Sequence, residues 1–72
     1  MRKAQQSALQ RLTDEGLAAK VVDENFEDEV IVYAYSEKEN VFKEYLIGVK
    51  GNISHVKNYN YSSELYEFFQ SA

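Results

Sequence analysis

At 72 residues, with 44% hydrophobic and 28% charged content, the chain has an ordinary globular composition and room for one domain, residues 1–72. It has no cysteine and one histidine, which excludes a disulfide framework and a structural zinc centre. A net charge of −4 makes nucleic acid an unfavoured partner. No apolar run approaches the ~20 residues of a membrane span and no secretory leader is evident, so a soluble cytoplasmic protein is expected.

Composition shifts once along the chain. All ten aromatic residues, six of them tyrosine, lie at or after Phe26, while the first third is rich in Ala, Gln and Leu. That reads as a helix followed by a sheet. Residues 2–15 hold one β-branched residue, Thr13, among good helix formers, and Ala4, Ala8, Leu9 and Leu12 stand at helical spacing. Gly16 occupies the place of a left-handed C′ residue, with Leu17 able to fold back on the last turn. The charges run against this helix. Arg2 and Lys3 sit at its positive end, Asp14 and Glu15 at its negative end.

A first strand is expected over 17–24. The run from Leu12 to Leu17 resembles the exit of a winged-helix recognition helix into its wing, but too little chain lies upstream for the other helices of that fold. Val30–Tyr35 and Val41–Ile47 are rich in strand formers and predict a hairpin across Ser36–Asn40. A turn at 50–52 leads to a further strand over 53–57. Val30, Val32 and Ala34 share one side of their strand, and Ile31, Tyr33 and Tyr35 the other. Residues 60–70 predict a closing helix with Ser62 as N-cap, a Tyr61–Tyr66 staple and a stripe of Leu65, Phe68 and Phe69.

The expected fold is therefore α+β: helix, antiparallel meander of three or four strands, helix. Both helices are expected on one sheet face, with the tyrosine-bearing face left open for a partner.

Little here points to catalysis. His55 has no nucleophile pattern around it and reads as a partly exposed strand residue. No cofactor motif and no metal-ligand spacing occurs. Asp23, Asn25 and Glu27 fall at calcium-loop spacing, but Asp28 stands where that loop needs glycine and Ala34 where it needs glutamate. Not an enzyme, and no cofactor: that is the expectation.

The acidic stretch Asp23, Glu24, Glu27, Asp28 and Glu29, with Phe26 as an apolar anchor, offers a docking surface for a basic protein face. Its plainer reading is a solvated loop. Tyr33, Tyr35 and Tyr45 extend the candidate partner-binding set. With Tyr59 and Tyr61 they would also suit a single-stranded nucleic-acid platform, were the supporting basic charge present. The leading expectation is a small acidic protein-interaction module, adaptor or inhibitor. In size, charge and layout it is similar to phage and mobile-element proteins that block host nucleases, including anti-CRISPR and DNA-mimic proteins, an analogy carried by no motif. A homo-oligomer overlaps that reading.

Overall fold

Six elements follow one another: α1 (Lys3–Asp14), β1 (Ala18–Glu24), β2 (Val30–Ser36), β3 (Val41–Ile47), β4 (Ile53–Asn60) and α2 (Ser63–Ser71). They belong to a computed structural model that describes residues 1–24 and 28–71. The strands form one antiparallel sheet in the order β1-β2-β3-β4. This is the expected α+β meander, with four strands. The β2–β3 loop is Glu37–Asn40, and Asn40 takes the left-handed conformation at φ 56°.

Helix α1 ends as its sequence predicts. Gly16, at φ 89°, is the C′ residue. Its N–H donates to the Thr13 carbonyl at 3.0 Å, and the Leu17 N–H reaches back to Leu12 at 3.3 Å. Together these make a Schellman motif. The N-terminal charge conflict is relieved from outside the helix, where the Arg2 guanidinium meets the Asp28 carboxylate at 2.9 Å. The helix is also tied down by Gln5, a buried residue that apolar patterning passes over. Its Oε1 accepts from the Arg2 N–H at 2.8 Å, and its Nε2 donates to the carbonyls of Asp28 and Ile47.

Ala8 and Leu12 of α1 pack on Val30, Val32 and Ile47, with Leu9, Leu17, Ala19, Val21, Tyr45 and Ile53 around them. The β3–β4 turn is pressed against the same helix. Gly51 is buried at φ 86°, a Cβ there would come within 2.7 Å of the Ala4 carbonyl oxygen, and Arg11 donates to the Gly51 carbonyl at 2.9 Å.

The helices do not share a face. Cross-strand partners point the same way, so Tyr35 opposite Phe42, Phe42 opposite Tyr59 and Tyr33 opposite Lys20 define the face away from α1. Helix α2 lies there. Its Phe69 meets Phe42 at 5.4 Å between centroids, and its Tyr66 meets Tyr35 at 5.8 Å. The expectation of one covered face fails because the tyrosine face carries Phe42, a large residue with no exposure at all, which needs a lid. The stripe is corrected too. Phe69 is its buried member, whereas Phe68 remains 53% exposed at the helix edge.

Ser62 caps α2 as predicted, its Oγ accepting from the Leu65 N–H at 3.1 Å. Tyr61 and Tyr66 make the staple, 5.9 Å apart. Strand β4 runs further than expected, to Asn60, with an extra residue, Val56, between Lys57 (opposite Glu44) and His55 (opposite Tyr45). Strand β1 has a similar irregularity at Val22.

Candidate functional site

The candidate residues do not form one patch. Tyr45 lies opposite Val32 and packs against the α1 core, so it belongs to the other face from Tyr33 and Tyr35. Tyr35 sits beneath α2, its hydroxyl donating to Asn40 Oδ1 at 2.8 Å. Tyr33, half-buried like the other two, stands beside Phe68 at 5.9 Å and Tyr59 at 5.8 Å.

Helix α2 covers the half of its face nearest the β2–β3 turn. Beyond Tyr33, the pair Ile31 and Leu46 continues the face toward the acidic end of the sheet. Asp23 stands opposite Ile31, on the same side. The surface thus sets apolar Ile31 and Leu46 beside the charged row Lys20, Glu44 and Lys57, with Asp23 at its border.

The acidic stretch begins on β1, within the strand expected over 17–24. Asp23 and Glu24 are the last residues of β1. The Asp23 carboxylate accepts from the Glu24 N–H at 2.8 Å. Asp28, at φ 64°, is fastened to α1 through Arg2 and Gln5. Part of the stretch therefore takes part in folding. Phe26 and Glu27 lie outside the described residues.

A second feature was not foreseen. Between α2, β1 and the β2–β3 turn is an open hollow of about 710 Å³, lined by Lys20, Tyr35, Glu37, Tyr61, Tyr66 and Phe69 among others. The Lys20 ammonium lies over the Phe69 ring, 5.1 Å from its centroid, and donates to the Gln70 carbonyl at 3.1 Å. Burial pushes the Tyr35 hydroxyl above its usual range, and the neighbouring Tyr61 and the Glu37 carboxylate push it further. Sequence spacing could not reveal this hollow, because its walls come from three separate segments.

Nearby, Tyr59 donates to Glu44 Oε1 at 2.7 Å, and that bond raises its hydroxyl to about 12. Glu39 and Lys43 pair at 2.8 Å, the bond lowering the carboxyl and raising the ammonium. His55 is an exposed strand residue, its Nε2 2.7 Å from Asn58 Oδ1 and its ring 5.4 Å from that of Tyr45. Among the described residues no three His, Asp or Glu side chains are grouped to hold a metal ion, and no helix is long and apolar enough to cross a membrane. No family model, curated protein or solved structure matches the chain.

Proposed function

We propose that the chain is a non-enzymatic protein-interaction module, an adaptor or inhibitor acting in the cytoplasm on a partner with a basic surface. One observation carries the reading: Phe68, 53% exposed, stands beside Tyr33 on the half of the sheet face that α2 leaves open. Aromatic side chains at the centre of a contact supply most of its energy, and charges at the border steer and orient it. Ile31 and Leu46 extend that centre, and Asp23 supplies an acidic border. In the sequence the acids Glu24, Glu27, Asp28 and Glu29 follow Asp23, with Phe26 among them. The phage-inhibitor analogy in size and charge agrees with a partner of this kind.

The test is affinity capture from cell extract with the parent, Phe68→Ala and the double variant Asp23→Asn/Glu24→Gln. A specific partner should be lost with Phe68→Ala, through faster dissociation. It should be weakened by the double variant and by added salt, through slower association. Equal capture by all three proteins would overturn the reading. Fluorescence anisotropy with mixed-sequence oligonucleotides should show no binding at physiological salt. Micromolar, salt-sensitive binding would instead assign the Tyr33, Tyr59 and Phe68 rings to single-stranded nucleic acid.

A further inference from the structure

The hollow beside α2 lies apart from the open face, and its chemistry is more specific. Tyr35, Tyr61 and Tyr66 stand 5.8 to 6.2 Å apart between centroids, and their planes cross at 49°, 51° and 78°. Rings set at such angles turn their faces in different directions around a shared space. Aromatic faces carry negative potential, and several of them around one point form a site for an organic cation.

Three further observations bear on its charge. Glu37, exposed at the rim, makes no ion pair among the described residues. The C-terminal end of α2 borders the hollow through Gln70, carries no basic residue in its last turn and is answered there by the Lys20 ammonium, 3.1 Å from the Gln70 carbonyl. The chain also places its own cations on neighbouring rings, Lys20 on Phe69 at 5.1 Å and Lys57 on Tyr59 at 4.9 Å. Among the described residues, the tyrosine trio holds none.

We propose that this hollow receives an arginine side chain of the protein partner, its guanidinium stacked among Tyr35, Tyr61 and Tyr66 and paired with Glu37. The proposal rests on the interaction reading above and names the anchor the partner would supply. The hollow is too open to bury most of a free small molecule, as a ligand pocket does, but a side chain projecting from a docked surface needs no such enclosure. Arginine suits it better than lysine, because a planar guanidinium stacks on rings and forks toward a carboxylate at once. Lys20 is the resident competitor. It is held to one side by Phe69 and Gln70.

The test needs no partner protein. Protein carrying ring-13C tyrosine is titrated with Nα-acetyl-arginine amide and, separately, with its neutral citrulline counterpart, following the tyrosine signals by NMR. Arginine should shift Tyr35, Tyr61 and Tyr66 saturably in the millimolar range, and citrulline should not. Glu37→Gln should weaken binding about two- to five-fold, as loss of one exposed opposite charge does. Lys20→Gln should tighten it, because the competing ammonium is gone. Equal shifts with citrulline, or no saturable shift, would overturn the proposal. So would backbone amide shifts confined to residues 23, 24 and 28, which would leave the interaction reading standing with the acidic border as the basic-side-chain contact. Glu37 is exposed on a turn, so its variant keeps the fold and reports on binding alone.

Discussion

Tyr35 and Phe42 stand directly opposite each other on β2 and β3, with ring centroids 4.8 Å apart. That pair decides where the C-terminal helix goes. Two large rings side by side at the turn end of a sheet face leave an apolar surface that one more aromatic layer can close. Tyr61, Tyr66 and Phe69 provide it, each within 6.4 Å of Phe42. Stacked and edge-to-face ring contacts of this sort contribute about 0.5–1.5 kcal/mol each beyond burial.

Phe42→Ala should therefore destabilise the protein by about 3–5 kcal/mol, the range for removing a buried phenylalanine. Phe68→Ala, at the exposed edge of the same layer, should cost less than about 1 kcal/mol. Urea unfolding of the two variants gives the comparison directly. Similar losses would mean that Phe68 is as much a core residue as Phe42.

Gly51→Ala should be more damaging than Gly16→Ala. Both glycines have positive φ, but a Cβ at Gly16 meets nothing within 4 Å whereas one at Gly51 meets the Ala4 carbonyl oxygen at 2.7 Å. Gly16→Ala should cost about 1 kcal/mol from backbone strain alone, and Gly51→Ala about 2–3 kcal/mol with α1 displaced. Equal midpoints in thermal melts would show that the turn does not press on the helix.

Gln5→Ala removes the amide that bridges α1 to the Asp28 and Ile47 carbonyls. Leaving buried acceptors unmet costs about 1–3 kcal/mol. Hydrogen exchange should speed up at Val30 and at the residues just before it, more than at the β3–β4 hairpin. Uniform acceleration would point to global loss instead.

At high pH the Tyr59–Glu44 bond should fail. The folded hydroxyl is raised to about 12 from an ordinary value of 10.0, so the folded state holds its proton more tightly than the unfolded state. The stabilisation is fully present below about pH 10 and is lost as pH climbs toward 12. The melting temperature of the parent should fall across that window, more steeply than that of Tyr59→Phe. Parallel curves would mean that the bond contributes nothing. Glu39 is the acid-side counterpart. Its carboxyl is lowered by Lys43, so its stabilisation holds above about pH 4.5 and is lost as pH falls below that value.

Local chemistry made much of this fold legible. Gly16, Ser62 and the Tyr61–Tyr66 staple act as their residue types and spacing require, because caps and turns depend on a few adjacent residues. The placement of α2 depended on register. Only when Tyr35 is known to face Phe42 does one face show more aromatic surface than it can leave in water, and a slip of one residue would reverse that. Gln5 was invisible for another reason: a polar residue at a core position breaks the apolar pattern, and the carbonyls that justify its burial lie at Asp28 and Ile47. The extent of β4 was underestimated because Asn58 and Asn60 look like turn residues, yet here they sit in an outer strand. Of the candidate site, the acidic stretch was legible as composition but not as a segment fastened to α1.

The interruptions at Val22 and Val56 fall on β1 and β4, the two outer strands of the sheet. An open four-stranded sheet presents two unsatisfied backbone rims, and copies joined rim to rim would grow without limit. A single extra residue bends each rim out of the straight ladder that such growth requires. Lysines stand close to both, Lys20 on β1 and Lys57 on β4, where copies brought into line would set like charges together. Deleting Val56 to straighten β4 should therefore raise the tendency of copies to assemble, read by light scattering of concentrated solutions, and unchanged scattering would mean that the bulge does not guard that rim.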